Sequence, residues 1–584
     1  MMTTQGKTVI AVVVLAVVGL ICYRWWDKLA PVPKANVPSV NAAQINEKIK
    51  EATKAAVNPV KDVMDKLLAG TNVAKTVDAN TIPPISGVSA YEKASKNGKT
   101  LVRFPINIWP GWAPIIVANN GMTANEDSLF YKKYGFYVEL TIVDDPVKAR
   151  DLFASGYTHV LWGTLDMMAL FAPALTRDSR TVPVICQQID FSNGGDGLCA
   201  RHDIKNLNDL RMKNGMKKKV VLAQNSPSHY FIMSMLINAN IDPSEIDWRW
   251  TSDAPSAAKL FVQDESYDAF VGWSPDIYTV RDIPGVRGVV DSSSANHVVA
   301  DVWAVRNDFY KDNPKVVAGL VDCIFEGMEM VRNNPSNAVK LVAKAYSLPE
   351  SDVASMIGKD GGIATGDAHL INYRENVAFF TDPSNPYNFE AIWTRASMIY
   401  QNLGAIDTIV VAGKVKEAKV ILSLAEKYKN STDLSQPNFN PNQVFKNLEA
   451  GESQILTTPI SISFPAGKWN LDTNYDATIE ASMTKIAEIA ANFGNAYVVI
   501  EGNTDASMKG VVPADAIKKL SYDRADSVKK VILEKYPKFD PNKFRVIGNG
   551  WDNPMAGCTD STDKNQNKKN RRTEIKVFPL EGAE

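Results

Sequence analysis

The apolar positions of this chain change their spacing several times, and each change marks a different kind of segment. Thr8 to Cys22 is an unbroken apolar run, TVIAVVVLAVVGLIC, followed by Tyr23-Arg24-Trp25-Trp26. Pro31 to Val40 is proline-rich and reads as a stiff linker. Ile45, Ile49, Ala56, Val60, Val63 and Leu67 then recur near helical spacing. They predict an amphipathic helix over 42–69, kinked at Pro59 and ended by Gly70. Its two-heptad seam either pairs with a second copy or rests on its own chain. Residues 70–98, with Pro83-Pro84 and scattered small polar residues, read as more linker.

From Thr100 the pattern becomes strand and helix in alternation. Strands are predicted at 101–108, 137–143, 159–162, 182–186 and 219–223, with helices such as Pro146 to Ala154 and Ser228 to Ala239 between them. That alternation argues for α/β layers built on parallel sheets. Pro314 to about Lys429 is mostly helical, and Ser431 to Asn442, rich in Asn, Pro and Ser, is a further linker. The final unit reads as strand 459–464, helix 476–492, strand 497–501, a helix carrying Leu520 to Ala525, strand 544–550, and a last strand opening near Asn570. The expected plan is a short tail (1–7), an apolar anchor (8–26), a linker (27–99), an α/β unit (100–430), a linker (431–454) and a terminal unit (455–584). A length of 584 residues suits three or four such units.

Composition narrows the function classes. Hydrophobic residues at 45% and charged residues at 22% are ordinary for globular domains. A net charge of -1 gives no electrostatic footprint for nucleic acid. The five cysteines, Cys22, Cys186, Cys199, Cys323 and Cys558, form no CxxC pair, and the five histidines show no metal-ligand spacing. No metal, cofactor or catalytic group is expected. Cys186 and Cys199 flank a Gly-rich turn, so a disulfide is one reading and two buried thiols the other.

The first apolar run, extended through its aromatic cluster, approaches the roughly 20 residues that span a hydrocarbon core. Trp25 and Trp26 suit an interfacial belt, and Arg24 can snorkel. No A-x-A site follows, and Gly19-Leu20-Ile21-Cys22 is a poor lipobox because Ile21 is large. The reading is an uncleaved single-pass anchor in membrane lipid, with a cleaved signal as the alternative.

Four motifs appear in order near the C-terminus: Gly502-Asn503-Thr504-Asp505 after a strand, Leu520-Ser521-Tyr522-Asp523-Arg524-Ala525 on a helix, Gly548-Asn549-Gly550, and Asn570-Arg571-Arg572-Thr573-Glu574-Ile575. Together they resemble the OmpA C-terminal family, a βαβαβ-type domain that binds peptidoglycan non-covalently. The resemblance implies that Asp505 takes the ammonium of a stem-peptide diaminopimelate and Arg524 its carboxylate, with Asn503, Thr504 and Arg572 as helpers. A planar guanidinium fork suits a carboxylate. The resemblance also accounts for the basic cluster Lys568, Lys569, Arg571 and Arg572. Two positions depart from the family: Asn503 stands where it usually has His, and Ile517 where it usually has Asn. The loop from Asp505 to Leu520 also lacks the usual compact Gly turn. Ile517 removes one expected hydrogen bond, which lowers expected affinity rather than altering the fold.

The unit at 100–420 carries Trp109-Pro110-Gly111-Trp112-Ala113-Pro114, Ala154-Ser155-Gly156, Asp190 to Gly197, Tyr267-Asp268-Ala269-Phe270, Trp273-Ser274-Pro275-Asp276 and Ala300-Asp301-Val302-Trp303. This series resembles the periplasmic solute-binding proteins of ABC importers, of the nitrate/sulfonate/taurine type. It implies two α/β lobes that close on a small solute. Trp109, Trp112, Thr164, Asp166, Ser192, Asp196, Ser226, Trp273 and Asp276 fall on loops after predicted strands and are the pocket candidates. The Ser192 to Gly197 turn offers N–H groups that suit an anion. Three aspartates would repel one, and acids among tryptophans better suit an amine-bearing or zwitterionic solute. The alternative for each residue is a core tryptophan or a helix-capping aspartate.

The whole then reads as a single-pass protein of the inner membrane with its bulk in the periplasm. It would bind peptidoglycan at one end and a solute in the middle, serving an ABC permease or sensing the solute. The competing reading is a stator-like or scaffold subunit of an envelope complex. The span carries none of the acids that a proton relay needs. Nothing in the sequence marks an enzyme.

Overall fold

The computed structural model describes residues 82–580, apart from 202–203, 433, 435–453, 461, 463, 465–468 and 472–475. The expected span at 8–26, the helix at 42–69 and most of the linker at 431–454 lie outside the described residues. Among the described residues no helix is long and apolar enough to cross a membrane.

The strands, in chain order, are β1 (Ser95–Lys96), β2 (Lys99–Ile106), β3 (Tyr137–Ile142), β4 (Val160–Thr164), β5 (Pro183–Ser192), β6 (Asp196–Arg201), β7 (Lys219–Ala223), β8 (Asp247–Thr251), β9 (Ala269–Trp273), β10 (Val286–Asp291), β11 (Ala300–Arg306), β12 (Ala368–Leu370), β13 (Leu456–Ile460), β14 (Ala496–Asn503), β15 (Phe544–Gly550) and β16 (Thr573–Pro579). Sheets β1-β2-β3 and β12-β5-β11-β4 form the first lobe, and β10-β6-β9-β7-β8 forms the second. His159 ties the two sheets of the first lobe: its Nδ1 accepts the Arg103 N–H at 2.9 Å and its Nε2 meets the Glu92 carbonyl at 2.8 Å. The central strands β5 and β11 are buried along their whole length, as expected for strands covered on both faces. Helix ends follow local chemistry. Asp145 caps the Pro146–Ser155 helix with Pro146 in its first turn, and Gly156, at φ 84°, ends it in the left-handed region that glycine adopts without strain.

The chain crosses from the first lobe to the second between β5 and β6, and returns between β10 and β11. This corrects the expectation of parallel sheets. Pairs β2–β3, β7–β8 and β7–β9 are parallel, but β6 runs antiparallel to β9 and β11 antiparallel to both β4 and β5. A strand arriving from the other lobe enters its new sheet from the opposite end. The same crossing settles the cysteines against a disulfide. Cys186 lies on β5 in one lobe and Cys199 on β6 in the other, and both are free and buried. The Gly-rich turn joins two sheets rather than two arms of one hairpin. Burial pushes both thiols up, Cys199 to about 11.

Helices dominate from Pro314 to Asn402, but the mostly helical reading that ran on to about Lys429 fails beyond it, where Lys419–Leu422 is the one α-helix among the described residues up to Lys429. The terminal unit is one mixed sheet, β13-β16-β14-β15, with helices Ala477–Asn492 and Ala514–Lys535 as its crossovers. Strand β14 pairs parallel with β15 and antiparallel with β16. Two glycines let the second helix lie directly on the strands. A Cβ at Gly502 would sit 2.0 Å from the Ser521 carbonyl oxygen, and one at Gly548 2.4 Å from that of Lys518. This contact sets where the Leu-Ser-x-x-Arg-Ala motif meets the end of β14.

Gly502→Ala is therefore expected to destabilise the terminal unit by about 1–3 kcal/mol through overpacking. Gly413→Ala, whose new methyl meets nothing within 4 Å, is the control. Urea unfolding that gave equal midpoints for the two variants would contradict the close approach.

Candidate functional site

Two places gather polar groups that secondary structure does not consume. The first lies where β14 ends. Asn503 and Thr504 are buried there, Asp505 follows, and Arg524 comes up from the Ala514–Lys535 helix, also buried. Arg571 and Arg572 arrive just before β16. A small pocket is lined by Ile462, Phe464, Asn503, Arg524, Arg571 and Arg572, among others. The Arg524 guanidinium lies 5.1 Å from the centre of the Phe464 ring, a cation–π distance.

Hydrogen bonds fix the pocket walls. The Asn503 N–H donates to the Arg572 carbonyl at 2.9 Å, and the Thr504 N–H to the Gly550 carbonyl at 2.7 Å. Asn549 donates to Asn503 Oδ1 at 3.1 Å. Ser521 Oγ accepts the Gly550 N–H at 2.9 Å, which fastens the helix to the G-x-G turn. The Asn503 side-chain nitrogen, Thr504 Oγ1 and Arg572 Nε are buried without a hydrogen-bond partner. Groups left in that state are costly unless something else satisfies them.

The structure adds one residue that sequence reasoning did not name for the site. Arg571 donates to Asp505 Oδ2 at 2.6 Å, and the Ser507 N–H donates to Oδ1 at 2.9 Å. Burial works against ionisation of Asp505, but the hydrogen bonds from Ser507 and Arg571 outweigh it and hold its carboxyl below the ordinary range. Burial and the neighbouring Arg571 charge lower the Arg524 pKa, and Asp505 opposes them. Any cation reaching Asp505 must therefore share it with Arg571. The clue was present in the double Arg of the fourth motif. Ile517, on the helix side, is buried next to Gly550 and presents no hydrogen-bonding group.

The second place is the junction of the two lobes. Thr164 stands opposite Asp301 across β4 and β11, and Asp301 opposite Asp190 across β11 and β5, so the three share one face of the sheet. Asp190 accepts from Trp109 Nε1 at 3.1 Å. Asp166, in the first turn of the Leu165–Leu175 helix, accepts from the Tyr400 hydroxyl at 3.0 Å. Asp196 opens β6, and Asp367 accepts from the Tyr278 hydroxyl across the lobes. Trp273 ends β9 opposite Asp196. The Trp109 ring covers the crossing: a Cβ on Gly195 would lie 2.5 Å from it.

Burial dominates the electrostatics of these acids. Desolvation pushes Asp166, Asp190 and Asp196 up to about 7, and Asp301, also facing Asp190, Asp196 and Asp166, well above the carboxylate range. Asp367 rises to about 6 for the same first reason. Burial, helped by the charges of Asp144 and Asp253, also raises Asp276 to about 6. One oxygen each of Asp166, Asp190 and Asp196 is buried without a partner, as is Thr164 Oγ1. Asp190, Asp301 and Asp367 were not among the sequence candidates. The first two sit inside the Asp190 to Gly197 and Ala300-Asp301-Val302-Trp303 runs quoted for the resemblance, and the structure places both on strands that were not predicted there.

Other candidates serve the framework. Trp112 turns into the first lobe, donating to Asn107 Oδ1 at 2.7 Å and packing edge-on against Phe104. Ser226 precedes the Pro227–Asn238 helix and donates to the Ala223 carbonyl at 2.8 Å. The N–H groups of the Ser192 to Gly197 turn are partly consumed. Ser292 Oγ accepts from Gly194 at 2.8 Å and from Asp196 at 3.1 Å, and Ser192 Oγ bonds Ser292 Oγ at 2.7 Å. The proposed anion cradle is thus occupied by hydroxyls of the second crossing, and the buried side chains around it are acidic.

Residues 463–569 match the OmpA family, so the terminal unit is an OmpA-family domain. No curated protein matches the chain. Among solved structures, the periplasmic aliphatic sulphonate binding protein SsuA of Escherichia coli is similar at 16% identity and TM-score 0.42, covering 54% of this chain and 91% of that one. The periplasmic nitrate-binding protein NrtA of Synechocystis PCC 6803 is similar at 15% identity and TM-score 0.43, covering 58% and 92%. The desulfurization enzyme DSZB is similar at 14% identity and TM-score 0.39, covering 56% and 99%.

Raised acids make a signed prediction. Their folded pKa values of about 6 to 7 exceed the unfolded value of about 3.9. Their contribution is full below pH 4 and is lost as pH rises to about 7. Without ligand, the native chain should lose stability across that window relative to an Asp166→Asn/Asp196→Asn variant. Parallel melting-temperature curves from pH 4 to 7 would contradict the shifts.

Proposed function

We propose that this chain is an envelope protein that grips the peptidoglycan stem peptide with its OmpA-family domain and holds a small amine-bearing or zwitterionic solute between its two lobes. The single observation that carries the first half is the pocket at the end of β14, where Asp505 and Arg524 stand beside buried donors on Asn503 and Arg572 that lack partners. Diaminopimelate presents an ammonium and carboxylates. Asp505 supplies the acceptor for the one, and Arg524 with Arg572 the forked donors for the other. Arg571 acts as an internal stand-in for the ammonium until the ligand arrives.

The second half rests on the buried carboxyls at the lobe junction. An anion beside Asp166, Asp190, Asp196 and Asp301 would oppose their ionisation still further, because like charges repel strongly in a low-dielectric site. A ligand ammonium would instead stabilise their ionised forms. Aromatic rings at Trp109 and Tyr400 complete a surface for such a group. Nothing in this arrangement requires covalent chemistry, so the reading is binding rather than catalysis. Membrane attachment through 8–26, an inner-membrane location with the bulk in the periplasm, and delivery to an ABC permease or a sensing partner belong to the same proposal.

One observation favours a second reading. The Trp109 ring and the crossing segments fill the lobe junction with the chain's own side chains. That suits a scaffold subunit, including a stator-like one, whose lobes no longer exchange solute.

Co-sedimentation of the full chain with insoluble sacculi tests the wall contact. The native chain should pellet, and Asp505→Ala/Arg524→Ala should remain in solution. Equal pelleting of both would overturn it. A thermal-shift screen with diamines, betaines, amino acids, nitrate and sulfonates tests the cleft. A solute at 100-fold its Kd should stabilise by about 2.7 kcal/mol. A response to nitrate or sulfonates alone would refute an amine-selective cleft, and silence across the set would leave the scaffold reading.

A further inference from the structure

The described residues all fall within one compact unit, and the OmpA-family domain is fastened to three separate parts of the two-lobed domain. On the second lobe, Asn208 mimics a strand. Its side-chain nitrogen donates to the Thr457 carbonyl at 3.1 Å and its Oδ1 accepts the Thr457 N–H at 3.0 Å. The neighbouring Leu207 N–H donates to the Ile455 carbonyl at 3.2 Å. The buried Lys485 of the Ala477–Asn492 helix donates to the Ile237 carbonyl, also of the second lobe, at 2.8 Å. On the first lobe, Arg395 donates to Asn492 Oδ1 at 2.7 Å, and Asp382 pairs with Lys538.

The third part is the return crossing itself. Asn296 Oδ1 accepts the Asn495 N–H at 3.0 Å, and His297 Nδ1 meets the Ala491 carbonyl at 3.0 Å. The His297 N–H donates to the Asn492 carbonyl at 3.3 Å. A Cβ on Gly494 would lie 2.3 Å from Asn296 Oδ1, so the turn after the helix is seated tightly on the crossing. Lys543 holds that turn from beneath, donating to the carbonyls of Phe493, Gly494 and Ala496. His297 also stacks on Tyr387, with ring centres 3.7 Å apart, which carries the attachment into the first lobe.

Two lobes joined by crossing strands open by changing backbone angles in those crossings. A rigid body bonded to both lobes and to one crossing cannot keep all three attachments while the lobes part. We infer that the OmpA-family domain is a brace that holds the two lobes closed, so that opening the cleft requires the domain to release at least one lobe. Linkage makes the effect reciprocal: a ligand that favours one state of the lobes shifts the docking of the domain, and a pull on the domain shifts the cleft. This goes beyond the proposed ligands, since it needs neither the stem peptide nor the solute.

Distance measurement between spin labels on the two lobes of the full chain tests it. Lys259→Cys and Lys340→Cys place labels on exposed helix positions of the second and first lobe, in a Cys22→Ser background whose described cysteines are buried. The otherwise native chain should give one narrow distance. Asn208→Ala/Asn296→Ala/Arg395→Ala removes one polar attachment at each part and should raise a second, distinct distance at least about tenfold in population. Lys538→Ala, at an exposed pair, guards against a triple variant that does not fold and should raise the same component to a smaller extent. An otherwise native chain that already shows both distances, or folded variants whose distributions superimpose on it, would overturn the brace. The readout uses no ligand, so it fails separately from the wall and solute readings.

Discussion

The chain passes between its lobes twice, and the two passages are tied to each other by the hydroxyl bond between Ser192 and Ser292. Most of the architecture depends on that junction. It reverses strand direction in both lobes, because each crossing strand enters its new sheet from the far end. It draws the acids of β5, β6 and β11 to one place, since Asp190, Asp196 and Asp301 all lie within a few residues of a crossing. It also consumes backbone N–H groups of the Ser192 to Gly197 turn, while one oxygen each of Asp166, Asp190 and Asp196, with Thr164 Oγ1, is left without a partner. The acidic character of the junction is therefore a consequence of how the crossing is bonded, not of overall charge, which is close to zero.

The OmpA-family domain shows the same economy on a smaller scale. Glycines at 502 and 548 remove side chains where a helix must touch a strand, and that contact brings Arg524 over the end of β14. Lysines are used as internal struts. Lys543 gathers three carbonyls near the end of one helix, and Lys485 reaches a carbonyl of the neighbouring lobe. Burying an ammonium is unfavourable unless hydrogen bonds replace its water, and both lysines are placed where carbonyls do so.

Much of this was legible in the sequence, for identifiable reasons. Strand β7 and the Pro146–Ser155 helix were readable because apolar periodicity and capping residues are local signals. Asp505, Arg524, Asn503, Thr504 and Arg572 were named from short motifs, and the structure gathers them at the end of β14. Arg571 was missed because its partner is 66 residues away and spacing alone cannot show an ion pair. Asp190 and Asp301 were passed over because no strand was predicted at either, and the register that sets them opposite each other is not a local signal. Trp112 and Ser226 share loop positions with Trp109 and Asp196, and only the fold separates framework from cleft. The disulfide reading failed because two cysteines near one turn can lie on different sheets.

The way Asn208 borders β13 has a further consequence. Strand β13 is the outer strand of its sheet, paired on one side only with β16. On the side away from β16, the amide of Asn208 occupies backbone groups that a bare strand would offer to any passing chain. Outer strands left uncovered invite pairing between molecules. A copy of the protein whose terminal domain swings free therefore exposes an adhesive edge. With the domain docked, Asn208 and the neighbouring Leu207 N–H keep that edge covered.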